Sequence, residues 1–98
     1  MNNNSDELLD ELAKLTGVYY MSDLDYKYRR TEVNRSLILA ISMIHVEDYG
    51  PEEWMEVIYY LTGKNFDLEQ DDIYQASIEE KIEKELERKV IDCHHINK

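Results

Sequence analysis

The apolar residues of this chain recur at helical spacing, and its few helix-breaking residues fall between the apolar segments. The 98 residues include three glycines and one proline. Gly17 and Gly63 follow apolar segments, at the position where helices commonly end on a left-handed residue. Pro51 precedes an apolar segment, and proline suits the first turn of a helix. With four such segments and no strand-like alternation, the sequence predicts an all-α domain of four helices.

The first and third predicted helices have clear ends. Ser5 is a good N-cap, and the acids after it suit the positive end of a helix dipole, so the first helix is expected between Ser5 and Gly17. The third helix is expected from Pro51 to Thr62. Their inner faces are Leu8, Leu9, Leu12 and Leu15 in the first, and Trp54, Val57, Ile58 and Leu61 in the third. A connector over residues 64–70 is expected to be anchored by Phe66 and Leu68.

The second predicted helix carries the most apolar stretch of the chain. Ser22 with Asp25 three residues later approximates a capping box, so we favour one helix from Ser22 to about Val46. The alternative is a second start capped by Thr31, which splits the segment near Arg30 and leaves an apolar helix over about 31–46. We expect this apolar helix to be central, because it is apolar around most of its circumference. Its stripe is Val33, Leu37, Ala40, Ile41 and Ile44, widened by Ile38, Leu39 and Met43.

The last predicted helix starts near Asp71 or Asp72 and is amphipathic. Its apolar residues form a narrow seam that recurs every four residues: Ile78, Ile82, Leu86 and Val90. A narrow seam flanked by charge is typical of a two-helix contact, so we predict a homodimer through this seam. The alternative is that the seam docks on the chain's own third helix.

Length and composition predict one domain over residues 1–98, with short disordered ends at about 1–4 and 92–98. A hydrophobic share of 43% is too high for a disordered chain. The single cysteine, Cys93, excludes an intramolecular disulfide and fits a reducing compartment. Neither a signal peptide nor an apolar run long enough for a membrane span is visible, so we expect a cytoplasmic protein.

The charge of the chain indicates the kind of partner. Twenty-two Asp and Glu residues against eleven Lys and Arg residues give a net charge of -11. Such a chain repels nucleic-acid backbones and attracts basic surfaces. The sequence therefore predicts a small acidic interaction module that regulates or inhibits a basic partner protein, imitating nucleic-acid charge where that partner's surface holds DNA or RNA.

Two groups of residues are expected to contact that partner. Exposed glutamates of the last helix would supply the charge, and tyrosines of the third helix would supply contact area, because tyrosine buries a large ring and keeps a polar tip. Adjacent tyrosines diverge by about 100° on a helix, so Tyr59 and Tyr60 cannot both point inward. The predicted partner-binding residues are Glu79, Glu80, Glu83, Glu87, Tyr59 and Tyr60.

A basic segment supports an alternative function. It interleaves basic residues with tyrosines, a pattern that suits phosphate contact and base stacking, so the alternative is a nucleic-acid-binding regulator. The simpler explanation is that these cations pair with acidic helices of this chain or of a second copy. The basic residues are Lys27, Arg29, Arg30 and Arg35, beside Tyr26 and Tyr28.

No pattern in the chain predicts catalysis or a cofactor. Cys93, His94 and His95 are metal-ligand types, but three adjacent residues cannot close around one ion without further ligands. A calcium loop starting at Asp67 would need Gly and Glu where the chain has Asp72 and Ile78. The carboxylates lie on predicted solvent faces rather than in a sheltered pair. We therefore expect no enzyme activity, no cofactor and no metal.

Overall fold

The computed structural model describes the backbone of residues 4–96 and the side chains of residues 5–87. The described part contains four α-helices and no strand, so the predicted all-α fold is confirmed. The helices are α1 (Asn4–Thr16), α2 (Thr31–Ser42), α3 (Pro51–Thr62) and α4 (Gln75–Ile96). Short 3-10 turns occupy Met21–Leu24, Val46–Asp48 and Gln70–Asp72.

Helix α2 runs opposite to α3 and α4. Gln75, at the start of α4, donates from Nε2 to the carbonyl of Ile41 near the end of α2, at 3.0 Å. Lys64, just past the end of α3, pairs with Glu85 in α4 at 3.6 Å. Helices α1 and α4 each pack against both α2 and α3. The connector of residues 63–74 therefore returns along the bundle, so that α3 and α4 are parallel.

The core lies between the four helices. Trp54 is fully buried, and its indole N–H donates to the carbonyl of Val46 at 2.9 Å, which satisfies the one polar atom of the ring. Leu68 is buried and Phe66 is partly buried against the core, so both predicted anchors of the connector are confirmed. The largest fully buried side chains are Trp54, Leu8, Leu12, Leu24, Leu37, Ile41, Ile58, Leu61, Ile78, Ile82, Leu86 and Val46.

Glycine and proline mark helix ends as predicted. Gly17 and Gly63 follow α1 and α3 with φ of 81° and 75°, the left-handed region that favours glycine. Pro51 occupies the first position of α3. Ser5 is not the predicted N-cap, because Asn4 is already helical and the Ser5 hydroxyl instead donates to Glu56 Oε1 at 2.7 Å.

The preferred single helix from Ser22 to Val46 is wrong, and the split near Arg30 is correct. The chain forms a 3-10 turn at Met21–Leu24, and α2 starts at Thr31. Asp25 has extended backbone angles and accepts from the N–H of Lys27 at 2.9 Å, which bends the chain away from a helix. Thr31 is the first helical residue rather than the cap, and Arg30 holds the cap position without a side-chain capping hydrogen bond.

Two further boundaries differ from the prediction. Helix α2 ends at Ser42 rather than near Val46, which belongs to the next 3-10 turn. Helix α4 starts at Gln75 rather than near Asp71 or Asp72, because these two residues complete a 3-10 turn in which Asp72 accepts from the N–H of Glu69 at 2.9 Å.

The apolar stripe of α2 is narrower than predicted. Leu37, Ala40 and Ile41 are buried as expected. Leu39 and Met43 are instead 60% and 65% exposed, because α2 packs against α1 and α4 and leaves its remaining side open.

The predicted dimer seam is corrected by the structure. Ile78, Ile82 and Leu86 are fully buried inside one chain, where α4 packs against α2 and α3. These three side chains cannot contact a second copy without leaving the core, so docking on the chain's own helices is the correct alternative. Val90 lies outside the described side chains.

The predicted disordered ends fall mostly on residues that the structure leaves out. Residues 1–3 and 97–98 are not described, and α4 continues as a backbone helix to Ile96. Within the described residues, no helix combines the length and the apolar character needed to cross a membrane.

Candidate protein-interaction surface

Helix α4 presents four glutamates on one outward face. Glu79, Glu80, Glu83 and Glu87 recur at steps of one, three and four residues, which places them on one side of a helix, away from buried Ile78 and Ile82. Together with Ala76 and Lys84 they line a shallow depression of about 450 Å³. These four glutamates are called the acidic face below, and their predicted grouping is what the backbone of α4 produces.

The charge of the acidic face is not compensated by ion pairs among the described side chains. The ion pairs there join Lys14 to Asp10, Arg30 to Glu32 and Lys64 to Glu85. Glu79 accepts a hydrogen bond from Gln75 Nε2 at 2.8 Å, which is a neutral donor. Of the residues with described side chains, Lys84 is the cation that borders the depression. The acidic face therefore carries a local excess of negative charge that is open to solvent.

A second, larger cavity lies between the N-terminal half of α2 and α4. Its volume is about 750 Å³. Glu87 borders both this cavity and the shallow depression of the acidic face. The cavity and the depression are therefore adjacent. The cavity is lined by Thr31, Glu32, Asn34, Arg35, Ile38, Leu86 and Glu87. Sequence reasoning missed it because it forms where α2 and α4 pack, and only the position of Ile38 at the edge of the α2 stripe hinted at it.

The tyrosines predicted to join the glutamates line neither depression. Tyr59 is 44% exposed, and its ring meets that of Tyr26 edge-on at 6.0 Å. Tyr60 is half-buried, and its hydroxyl lies 3.4 Å from the carbonyl of Met21. Burial raises the pKa of Tyr60, and the nearby carboxylates of Asp25 and Asp23 raise it further. Both tyrosines thus pack on the 21–26 segment and do not extend the acidic face.

Among the residues of the predicted basic patch, Arg29 is partly buried. The guanidinium of Arg29 donates to Asn34 Oδ1 at 2.7 Å and to the carbonyl of Leu24 at 2.6 Å. Burial lowers the pKa of Arg29 to about 10, and the charge of Asp25 opposes this shift. Arg29 is therefore held by bonds within its own chain, which leaves less of its guanidinium available to the predicted basic patch.

The three other basic residues remain on the surface. Lys27, Arg30 and Arg35 are exposed, and Arg30 pairs with Glu32 at 3.2 Å. Arg35 lines the α2–α4 cavity instead of standing beside Lys27 in one patch. The expected pairing of these cations with acidic neighbouring helices is absent among the described side chains.

In the part of the chain with described side chains, no group of three or more His, Cys, Asp or Glu residues has a geometry that could hold a metal ion. Cys93, His94 and His95 lie outside that part. Comparison of the chain with protein-family models, curated proteins and solved structures finds no match. A functional assignment therefore depends on the residues and their geometry alone.

Proposed function

We propose that this protein is a small acidic interaction module that binds a basic surface of a partner protein through the acidic face of α4. The observation that carries the proposal is the grouping of four glutamates on one side of α4, two exposed and two half-buried, with no ion pair to them among the described side chains. The net charge of -11 supports it, because the field of the whole molecule steers a basic partner towards the chain.

The spacing of the acidic face supports imitation of nucleic-acid charge. From Glu79 to Glu87 the helix axis advances about 12 Å, and the four residues lie at axial steps of about 1.5, 4.5 and 6 Å, a mean of about 4 Å. Phosphates follow one another every ~3.4 Å along one strand of duplex DNA. A protein surface built to hold a phosphate backbone would therefore find similar charge density on α4. Occupation of that surface would make the module a regulator or inhibitor of its partner.

Affinity capture with matched variants tests the proposal. The purified chain, immobilised and exposed to an extract of its native cells, is expected to retain basic proteins that are released by salt, since salt screens surface charge. Retention should be abolished in a variant that combines Glu79→Gln, Glu80→Gln, Glu83→Gln and Glu87→Gln. The control combines Glu7→Gln, Glu11→Gln, Glu47→Gln and Glu52→Gln, which remove the same charge from exposed positions elsewhere and should retain the partner.

Two results would overturn the proposal. Equal loss of capture in both variants would mean that net charge, and not the acidic face, attracts the partner. Salt-sensitive binding of a labelled single-stranded DNA, lost on combining Lys27→Gln, Arg30→Gln and Arg35→Gln, would instead favour the nucleic-acid-binding function.

A further inference from the structure

The α2–α4 cavity and the acidic face form one continuous surface with two characters. Ile38 and Leu86 give the cavity an apolar part, while Glu32 and Glu87 give it acidic walls. From Glu87 back to Glu79, the acidic face extends this negative wall along α4. Among the described residues of this lining, Arg35 is the cation. A ligand that fills this surface must therefore present an apolar strip and positive charge side by side.

The cavity follows the axis of α2. Its lining residues on α2 recur once per turn, at Thr31, Arg35 and Ile38, over about 10 Å of axis. A furrow between two packed helices is shaped to take the ridge of a third helix. The dimensions and direction of the cavity therefore suit a helical occupant.

The described surface lacks the features that other modes of peptide recognition require. Addition of a strand needs a free sheet edge, and the described residues include no strand. Proline-rich peptides need a groove lined by aromatic rings, and no described side chain in this lining is aromatic. Phosphorylated or acidic peptides need several arginines, whereas Arg35 stands here beside Glu32 and Glu87.

We infer that the α2–α4 cavity and the adjoining acidic face bind a basic amphipathic helix of a partner protein. The apolar strip of that helix lies over the half-buried Ile38, with Leu86 buried beneath it in the core, and its lysine or arginine residues face Glu83 and Glu87. This inference rests on the proposed function and specifies the basic partner as a helix. A second copy of this chain is the wrong occupant, because its net charge of -11 repels the same surface.

The first test uses a synthetic peptide of about five helical turns, made of leucine and lysine at amphipathic helical spacing. The control peptide has the same composition in an order that disperses the leucines around the helix. Fluorescence anisotropy of labelled peptides should show that the amphipathic peptide binds at least about tenfold more tightly, since burying one or two leucines is worth this much. Bound peptide should also gain helical circular dichroism.

Matched variants locate the binding surface. Glu87→Lys should weaken the amphipathic peptide several-fold, whereas Glu11→Lys, an equal change of charge at an exposed position on α1, should have a smaller effect. Ile38→Asn should weaken the peptide about tenfold. Tyr19→Asn, at an apolar position that is 94% exposed outside the cavity lining, should leave the affinity unchanged.

The outcomes separate this inference from the proposed function. The inference of a helical partner would be overturned if the wild-type chain bound both peptides equally and if Ile38→Asn and Tyr19→Asn had the same effect on binding. That result would still leave an acidic binding surface in place. Binding of neither peptide would also overturn it, and the capture experiment above would still decide the proposed function. If Ile38→Asn fails to fold by circular dichroism, the comparison of Glu87→Lys with Glu11→Lys decides alone. Concentration-dependent dimerisation that is abolished by Glu87→Lys would assign the surface to a second copy and overturn the inference.

Discussion

Arg29 stabilises the turn that separates the first 3-10 turn from α2. Its guanidinium joins the carbonyl of Leu24 to the side chain of Asn34, so one residue ties the end of one element to the first turns of the next. Asn34 is itself buried, and its side-chain oxygen needs a donor. The planar, forked guanidinium can reach both acceptors at once, which an ammonium cannot do in the same geometry.

Replacement of Arg29 should therefore be costly although the residue is charged and lies in a loop. Arg29→Ala leaves two partly buried acceptors without a donor, so we expect a loss of about 1–3 kcal/mol in the free energy of unfolding. Arg29→Lys should recover only part of it. Arg30→Ala is the control, since Arg30 is exposed and should change stability by less than about 0.5 kcal/mol. Urea denaturation measures all three, and equal costs at positions 29 and 30 would contradict the structural role of Arg29.

Neighbouring apolar residues of α2 should differ sharply in their contribution to stability. Ile41 is fully buried, so Ile41→Ala should cost about 2–5 kcal/mol. Leu39 is mostly exposed, so Leu39→Ala should change stability by no more than about 0.5 kcal/mol. The same denaturation experiment compares the two. A large cost for Leu39→Ala would mean that this side of α2 is covered in solution.

Helices α1 and α3 each end at a glycine, and the two glycines have different surroundings. Gly17 and Gly63 both have positive φ, which an L-residue with a side chain adopts at a cost. A Cβ on Gly17 would meet no atom within 4 Å. A Cβ on Gly63 would lie 2.7 Å from Cε2 of Tyr26, so the ring of Tyr26 would have to move from its contact with Tyr59.

This difference predicts unequal effects of one substitution. Gly17→Ala should cost about 1 kcal/mol, the strain of the left-handed conformation alone. Gly63→Ala should cost roughly 1–3 kcal/mol more, because overpacking is added to that strain. Thermal denaturation of both variants tests the prediction. Removing the ring with Tyr26→Ala should reduce the extra cost of Gly63→Ala, and additive effects of the two changes would contradict a direct clash.

Some helix ends follow from local sequence, whereas others depend on contacts between segments. The ends of α1 and α3 could be predicted because a left-handed glycine and an N-terminal proline act locally. The break before α2 was harder to predict, because the turn that begins at Asp25 is also held by Arg29 through bonds to Leu24 and Asn34, five residues to either side.

The two parts of the candidate surface differ in the same way, since one depends on a single helix and the other on the packing of two. The acidic face follows from helical spacing within α4 and was predicted. The adjoining cavity depends on how α2 packs against α4, and no pattern within either segment encodes that contact. The dimer seam was misassigned for the same cause: a narrow apolar stripe does not reveal whether its partner helix belongs to the same chain.

For the whole molecule, the charge that suits a basic partner opposes folding. A net charge of -11 on 98 residues causes self-repulsion, and the described side chains offset it with three ion pairs. The Lys14–Asp10 and Arg30–Glu32 pairs are exposed and contribute little to stability. Screening of the repulsion should therefore stabilise the fold, and a bound basic partner should do so more strongly because it binds the folded state alone.

Salt dependence of the melting temperature tests this balance. Sodium chloride should raise the melting temperature of the wild-type chain, because it screens repulsion that acts in the compact state. Sucrose, which strengthens burial without screening charge, serves as the control for effects unrelated to electrostatics.

The variant with Glu79, Glu80, Glu83 and Glu87 all changed to Gln loses four negative charges, so its net charge changes from -11 to -7. Its melting temperature in low salt should be higher than that of the wild type, and its response to salt should be weaker, while its response to sucrose stays the same. Equal salt responses of the two chains would mean that the acidic face is not a source of repulsion, and would also weaken the case that it is kept for binding a partner.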